Sequence, residues 1–233
     1  ELDKVKTEFI SIASHQLRTP LTAIKGYISM ITEGTYGKVP KQARGKLENV
    51  ALSNERLIKL VNDLLSVSRI ETGKIELDPK KEDLERVVSQ IIDELKINAE
   101  RKGLYLEFKK PKKKLPEIML DEDKLRQVIL NLIDNAIKYT REGGITVTLE
   151  KSGNNKNVMI KMVDTGEGMD EEELSKVFRS FSRGQAGNQL STEGAGLGLF
   201  IARKFIKMHN GKVWAESEGK KKGSQFYIQL PIN

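Results

Sequence analysis

The feature that most constrains the fold is a pair of long helical patterns at the start of the chain, separated by Gly34, Gly37 and Pro40. Apolar residues recur every three or four positions, which predicts a hairpin of two amphipathic helices. Because two helices cannot enclose so long an apolar seam, a second copy is the simplest cover and gives a dimeric four-helix bundle. Packing against the chain's own second domain is the alternative. The stripes contain Ile10, Ala13, Leu17, Leu21, Ile24, Ile28 and Ile31, then Leu47, Val50, Ala51, Asn54, Leu57, Ile58, Val61, Leu64, Leu65 and Ser68.

A histidine on the first helix stands off this apolar stripe. At about 100° per residue, His15 lies far around the helix from Ala13 and Leu17, so we expect its imidazole to face water. Pro20 has no N–H to donate to the carbonyl of Gln16, and we expect the helix to bend or loosen there. A solvated surface histidine is the plain alternative. A destabilising proline beside an exposed nucleophile favours a functional site.

Composition limits the classes of protein. The 233 residues allow one large or two small domains, and the absence of Cys excludes disulfides and thiolate chemistry. The net charge of +7 gathers in lysine runs at 109–114 and 220–222 that lack interleaved aromatics, so we expect no nucleic-acid binding. With no long apolar run and no signal peptide, we expect a cytoplasmic fragment without membrane contact. The chain begins with Glu1, which suggests a longer parent protein whose membrane attachment is open.

From about Lys80 onward the pattern changes to mixed helix and strand, which predicts an α/β sandwich with helices on one face of a sheet. Thr72-Gly73 and Asp78-Pro79 punctuate the stretch before it. We therefore predict a hairpin over 1–72, a linker over 73–79 and a second domain over 80–233. The expected helices are 84–99, 123–139 and 200–208, and the expected strands are 104–108, 145–150, 158–163, 212–215 and 225–230.

Three polar residues share one face of the predicted helix over 123–139. Asn131, Asn135 and Lys138 are separated by four and then three positions. An amide oxygen suits a hard cation such as Mg²⁺, and a lysine suits phosphate oxygens. Polar helix caps explain one asparagine, but not two amides and a lysine aligned on one face.

A carboxylate follows the predicted strand over 158–163. Asp164 precedes Gly166 and Gly168, so it lies beside a turn that has little side-chain bulk. Such a carboxylate can accept a hydrogen bond from an adenine amino group, and the glycines allow a ring to approach the backbone. An ordinary Asp-Gly turn is the alternative.

A second glycine run contains Gly194, Gly196 and Gly198 and leads into the last predicted helix. Free N–H groups and the dipole at such a helix start favour phosphates. A dinucleotide fingerprint is excluded because no βαβ unit frames the run, and a P-loop is excluded because no Gly-Lys-Ser/Thr is present. The polar stretch between Phe181 and Gly194 suits a lid over a nucleotide.

These segments together resemble a known family. Ser14-His15-Gln16-Leu17-Arg18-Thr19-Pro20-Leu21 is similar to the phosphoacceptor box of bacterial sensor histidine kinases, and the later segments resemble, in order, the N box, first glycine box, phenylalanine box and second glycine box of their catalytic domain. The resemblance covers nearly all of the chain. It implies an α+β multidomain protein: a dimerisation and phosphotransfer hairpin followed by the GHKL (Bergerat) ATP-binding sandwich shared with gyrase, Hsp90 and mismatch-repair ATPases.

The resemblance also implies the activity. ATP and Mg²⁺ serve autophosphorylation on His15 and phosphoryl transfer to an aspartate of a response regulator, and Thr19 lies where the family's phosphatase motif orients water. The implied catalytic-domain roles are Asn135 for Mg²⁺, Asn131 and Lys138 for the phosphates, Tyr139 for the nucleoside end, Asp164 for adenine, Gly166 and Gly168 for the pocket turn, Gly194, Gly196 and Gly198 for the lid hinge and phosphate approach, Ser224 for support of Asp164, and Arg183, which follows Phe178 and Phe181, for the γ-phosphate.

Two positions depart from the family pattern. Gln16 stands where members commonly carry Glu or Asp. A carboxylate balances the positive charge that develops on the attacking imidazole, whereas an amide oxygen only accepts a bond, so we predict slower autophosphorylation than in the Gln16→Glu variant. Arg179 and Ser182 replace the usual acidic and tyrosine positions of the phenylalanine box, while Arg183 keeps its register.

Two other classes of function remain open at the level of sequence. An ATP-driven conformational clamp shares the nucleotide boxes but gives no reason for the segment from His15 to Pro20. A transfer-deficient dimeric module, either phosphatase-biased or scaffolding, is compatible with Gln16. Nucleotide binding without phosphohistidine favours one of these two classes.

Overall fold

The protein is described by a computed structural model for residues 2–152, 156–180 and 196–232, without the side chains of residues 2–11 and of His15. The chain divides between Glu76 and Leu77 into two units with separate cores. Among the helices of the described residues, none is both long enough and apolar enough to cross a bilayer.

The first unit is a helical hairpin of α1 (Leu2–Thr32) and α2 (Lys41–Glu71), which confirms both predicted helices. Gly34 and Gly37 have positive φ angles of 87° and 106° in the connection, a conformation that glycine adopts without steric cost. The α1 helix continues on both sides of Pro20, so the proline does not end it, and the bend or loosening expected there stays a prediction. The proline has no N–H to donate, so the helix lacks one hydrogen bond at this turn.

The hairpin has a small core. Leu21 packs with Val61 and Leu65, and the buried Asn54 Nδ2 donates to the Leu21 carbonyl at 2.9 Å. Other stripe positions lie outside this core: Leu17 remains 51% exposed. The contact between α1 and α2 therefore covers only part of the predicted apolar stripe. Ile24, Val50, Leu52 and Leu57 are also exposed.

The second unit is a two-layer α/β sandwich, as predicted. Its main sheet has five strands in the order β2-β4-β5-β7-β6, of which only β2 and β4 pair in parallel, and β1 pairs with β3 separately. The elements in chain order are β1 (Lys80–Glu82), α3 (Leu84–Arg101), β2 (Tyr105–Lys109), β3 (Ile118–Leu120), α4 (Glu122–Tyr139), β4 (Gly144–Ser152), β5 (Asn157–Asp164), α5 (Glu171–Lys176), α6 (Gly198–Met208), β6 (Lys212–Glu216) and β7 (Ser224–Pro231).

Alternation along the strands places the core on the helix-covered face of the sheet. Ile160 on β5 and Ile228 on β7 are partners in register, and both are almost fully buried. Helices α3 and α4 begin at acidic caps: Asp83 accepts from Glu85 N at 2.9 Å, and Asp121 accepts from Lys124 N at 3.1 Å. The core and the caps together fix α4 over the sheet.

The eight elements predicted for this unit are all present, with ends that differ by up to two residues. The sequence analysis missed β1, β3 and α5. The strands β1 and β3 have three residues each, too few to show a period. The start of α5 carries a capping box of Asp170 and Glu173, a sequence signal that could have revealed it.

Candidate functional site

A buried carboxylate lies at the end of β5. Asp164 Oδ1 accepts hydrogen bonds from Gly166 N at 2.9 Å and from Ser224 N at 3.1 Å, and Ser224 is its register partner on β7. Burial raises the pKa of the Asp164 carboxyl, and these two hydrogen bonds offset the rise only in part. The strand end therefore presents a carboxylate whose Oδ1 is held in place by two backbone N–H groups.

Gly166 lies against the end of α4. A Cβ atom at this position would lie 2.6 Å from the Tyr139 carbonyl oxygen and 2.9 Å from both Asp164 Oδ1 and Thr140 Oγ1. The Glu167 N–H also donates to the Tyr139 carbonyl at 3.0 Å. Glycine is required here because any side chain would displace polar atoms of the turn, and not because of a left-handed backbone.

Three more glycines bring the turn after β5 and the segment before β7 close together. Gly168 has a φ of 62°, and a Cβ there would lie 2.1 Å from the Gly219 carbonyl oxygen. The Gly223 N–H donates to the Gly166 carbonyl at 3.0 Å, so the segment before β7 packs directly on the turn after β5. The Asp164 carboxylate thus lies beside a turn whose backbone is closely packed.

A second group of predicted residues lies on α4. The buried Asn131 Nδ2 contacts the Gly198 carbonyl oxygen at 3.4 Å, and a Cβ at Gly198 would lie 3.3 Å from Asn131 Cγ. Asn131 therefore holds the first residue of α6, where N–H groups are available to an anion. Gly196 precedes this start with a φ of 69°.

The remaining predicted residues of α4 are half-buried: Asn135 follows Asn131 one turn later, and Lys138 and Tyr139 follow at the end of the helix. Lys138 Nζ lies 5.2 Å from the centroid of the Tyr139 ring. The helix over 122–139 thus aligns Asn131, Asn135 and Lys138 as the spacing predicted.

The donor set fits a magnesium ion bound together with phosphates. Within residues 2–152, 156–180 and 196–232, no group of three or more His, Cys, Asp or Glu side chains could hold a metal by itself. Mg²⁺ bound with a nucleotide needs only one or two protein ligands, because phosphates and water supply the others. The amide oxygen of Asn135 is suited to be such a ligand.

The predicted phosphoacceptor segment lies in the middle of α1. Ser14 is buried, whereas Gln16 and Thr19 are exposed. Arg18 donates to Asn62 Oδ1 on α2 at 2.7 Å, which ties this turn to the second helix. The backbone of His15 is helical; the expected exposure of its imidazole concerns a side chain outside the described residues.

Three other predicted features also fall outside the described residues. They are the lid stretch together with Gly194 and Arg183. Phe178 of the phenylalanine box is described, and its ring lies 6.4 Å from that of Phe226 in an edge-to-face arrangement.

Sequence reasoning missed two threonines beside the pocket turn. Thr165 Oγ1 donates to the Glu142 carbonyl at 2.8 Å and accepts from Gly144 N at 3.0 Å, which joins the turn to the start of β4. Thr140 Oγ1 is the only fully buried side-chain polar atom without a hydrogen-bond partner in the described part of the chain. No local signal distinguishes either hydroxyl from an ordinary turn residue.

Two family models match the chain in the order that the motifs indicate. Residues 5–73 match the His Kinase A (phospho-acceptor) domain, and residues 120–233 match the histidine kinase-, DNA gyrase B- and HSP90-like ATPase. The second match and the two-layer sandwich confirm the expected GHKL fold.

Relatives of this chain align over nearly its whole length. It is 36% identical to the Non-motile and phage-resistance protein of Caulobacter vibrioides over 99% of this chain and 27% of that protein. It is 33% identical to the Sensor histidine kinase WalK of Bacillus subtilis over 99% of this chain and 37% of WalK. The chain thus spans well under half the length of these curated relatives.

Solved structures share the fold. Full-length ShkA in complex with AMPPNP matches with a TM-score of 0.78 and 29% identity, over 96% of this chain and 45% of ShkA. The Acinetobacter baumannii histidine kinase AdeS matches with a TM-score of 0.66 and 26% identity, over 94% of this chain and 98% of AdeS. With a phosphoacceptor domain followed by a GHKL-type ATPase domain, the chain belongs to the two-component sensor histidine kinases.

Proposed function

We propose that this chain autophosphorylates on His15 with ATP as the phosphoryl donor and passes the group to an aspartate of a response regulator. The observation that carries the proposal is the turn at Asp164. A buried carboxylate oxygen is held by two backbone N–H groups beside a glycine, Gly166, that leaves no room for a side chain. This arrangement suits a planar base bearing an amino group.

The base and the phosphates bind at different elements of the sandwich. Asp164 accepts the hydrogen bond of the adenine amino group through its second carboxylate oxygen, and Tyr139 lines the nucleoside end. Asn131, Lys138 and the start of α6 at Gly198 contact the phosphates, because this helix start offers N–H donors and a favourable dipole. The close contact between Asn131 and Gly198 supports this division.

Mg²⁺, when bound, neutralises charge and aligns the phosphates, and Asn135 is its protein ligand in this proposal. An imidazole nitrogen of His15 attacks the γ-phosphorus, a P–N bond forms, and the P–O bond to ADP breaks. The protein contributes mainly in-line positioning and charge stabilisation, the latter from Lys138 and Arg183.

The hairpin supplies the acceptor and the partner surfaces. We propose residues 1–72 as a dimerisation and phosphotransfer hairpin, 73–79 as a linker and 80–233 as the catalytic domain. The exposed apolar residues Leu17, Ile24, Val50 and Leu57 support a second copy as the cover of the seam. The exposed positions of Gln16 and Thr19 suit a surface that receives a response regulator, and Thr19 orients water when that regulator is dephosphorylated.

Two variants test the division of labour between the domains. Asp164→Asn is expected to lose binding of an ATP analogue and, with it, label transfer from ATP labelled at the γ-phosphate. His15→Ala is expected to bind the analogue as the unchanged chain does, but to take up no label. Calorimetric titration and a labelling assay measure the two properties separately. Label uptake by His15→Ala, or full nucleotide affinity in Asp164→Asn, would contradict the proposal.

A further inference from the structure

The helices α4 and α6 are joined at two places. At one place, the Asp121 N–H at the start of α4 donates to His209 Nε2 at 3.0 Å, just beyond the end of α6. At the other, Asn131 in the middle of α4 contacts Gly198 at the start of α6. The two helices therefore run in opposite directions, and their contacts bracket the whole length of α6.

The hydrogen bonds of His209 define the protonation of its ring. Nδ1 lies 2.8 Å from the Phe205 carbonyl oxygen, which can only accept, so Nδ1 carries the proton. Nε2 accepts from the Asp121 N–H and carries none. The side chain is buried; Nδ1 fixes the ring on the last turn of α6, and Nε2 ties it to the start of α4.

The other end of this contact is a fixed point. Asp121 Oδ1 caps α4 by accepting from Lys124 N at 3.1 Å, and Oδ2 accepts from Asp78 N at 3.1 Å. Burial by itself raises the pKa of Asp121, but these bonds lower it below its ordinary value. The carboxylate is thus held on both oxygens while its backbone N–H is directed at His209.

A continuous helix connects the two contacts along its axis. The α6 helix has 11 residues, which corresponds to a rod of about 16 Å. A shift at the His209 end therefore moves Gly198, the residue that lies against Asn131 at the proposed phosphate site. Lys124 of α4, whose Nζ lies 5.9 Å from the Phe205 ring centroid, adds a contact near the same end.

We infer that His209 is a positioning residue for nucleotide binding: through its bond to the Asp121 N–H, it sets the position of α6 on α4 and hence the position of the helix start at Gly198. The inference rests on the proposed function, because it assigns the start of α6 to the phosphates. A role in folding alone predicts loss of stability without a change in the affinity of the folded protein.

Two variants that differ by one methylene separate these roles. His209→Gln places an amide oxygen near the position of Nε2 and keeps an acceptor for the Asp121 N–H. His209→Asn places an amide nitrogen near the position of Nδ1, keeps the donor to the Phe205 carbonyl, and cannot reach Asp121. Each is made in the 233-residue chain and titrated calorimetrically with AMPPNP and Mg²⁺, well below its thermal unfolding midpoint.

We expect His209→Asn to weaken AMPPNP binding about tenfold, a typical coupling between two sites, and His209→Gln to stay within about threefold of the unchanged chain. Leu106→Ala is the control for general destabilisation, since Leu106 is buried on β2, at the opposite edge of the sheet from β6. It is expected to lower the unfolding midpoint and to keep the affinity.

Unchanged affinity in His209→Asn would overturn the inference, and so would an equal loss in His209→Gln or in Leu106→Ala. Unchanged affinity in His209→Asn, with AMPPNP bound by the unchanged chain, leaves the proposed function intact. Absence of AMPPNP binding by the unchanged chain would overturn both, so the two failures are distinguishable.

Discussion

The hairpin and the sandwich differ in how they satisfy their apolar residues. In the sandwich, side chains such as Leu84, Leu125 and Ile228 are almost fully buried between helices and sheet. In the hairpin, Leu21 is buried, while Leu17 and Ile24, at helical spacing along the same stripe, are exposed. The sandwich therefore completes its core within one chain, whereas the hairpin requires further apolar surface.

The difference follows from the geometry of the elements. A sheet covered by helices encloses a continuous core, and its alternating strands direct one set of side chains inward. Two helices meet along a single line and leave the flanks of a wide stripe uncovered. We propose that the hairpin serves assembly and phosphoacceptance and that the sandwich binds the nucleotide.

The largest expected effect concerns dimerisation. Leu57, which is 49% exposed on α2, is expected to lie in the dimer seam, and Leu57→Glu should raise the dimer dissociation constant at least about 100-fold by removing two apolar side chains and adding two charges. Sedimentation velocity measures the change. Ile97→Glu is the matched control, since Ile97 is 56% exposed on α3 of the sandwich. Equal effects of the two variants would contradict the distinction between the regions.

Two glycine substitutions should have effects of opposite sign. Gly166→Ala places a methyl group 2.6 Å from the Tyr139 carbonyl oxygen, so we expect about 2 kcal/mol of destabilisation and loss of nucleotide binding. Gly26→Ala on α1 meets nothing within 4 Å and should stabilise the hairpin by about 1 kcal/mol. Thermal unfolding and nucleotide titration test both. If Gly166→Ala kept its stability and its nucleotide binding, the close packing assigned to Gly166 beside Asp164 would be contradicted.

The hairpin and the sandwich also differ in how one carboxyl group makes the stability of each depend on pH. Burial raises the pKa of Asp63 on α2 from 3.8 to about 6, with partial relief from Lys59. The folded hairpin therefore holds the Asp63 proton more tightly than the unfolded chain does. The resulting contribution to the free energy of unfolding is complete below about pH 4 and is lost as the pH rises through 6. Asp63→Asn should raise stability at pH 7 by about 1–3 kcal/mol. Urea unfolding at pH 4 and pH 7 measures the gain.

Asp121 of the sandwich gives the opposite dependence. Because its pKa is lowered in the folded protein, its contribution is present at neutral pH and is lost as the pH falls through its folded pKa. Asp121→Asn should therefore lower stability at pH 7 and have less effect in acid. An increase in stability at pH 7 would contradict the hydrogen bonds assigned to its carboxylate.

The smallest expected effect concerns the rate of phosphorylation. Gln16→Glu should speed autophosphorylation about fivefold, because a carboxylate balances the charge developing on the imidazole. The affinity for nucleotide, which we assign to the sandwich, should not change. Single-turnover labelling and AMPPNP titration separate the two quantities. Equal rates in the two proteins would mean that an acidic neighbour is not needed here.

The sequence predicts the helices and strands that are long enough to show a regular pattern of apolar residues. The helix over 122–139 was predicted within one residue because its apolar pattern continues to Tyr139. By contrast, β1 and β3 pair across a separation that no local pattern encodes. Residue preferences alone disfavour a proline inside a helix, yet α1 continues through Pro20.

The candidate site shows the same limit. Asp164 and Gly166 form a local turn, and their proximity follows from their spacing. The contact of Asp121 with His209 joins residues 88 positions apart, and the burial of the Thr140 hydroxyl depends on the packing around it. The sequence therefore predicts contacts between residues a few positions apart, whereas the contact between α4 and α6 became visible only in the structure.

The central claim is that His15 receives a phosphoryl group, and the chemistry of the product tests it most directly. The chain is incubated with Mg²⁺ and ATP labelled at the γ-phosphate, beside His15→Ala, and the labelled protein is treated with acid and with base. We expect label that is lost in acid, persists in base and is absent from His15→Ala. Acid-stable label, or equal label in His15→Ala, would contradict phosphohistidine formation at this residue. Nucleotide binding with no label at all would contradict autophosphorylation by this chain.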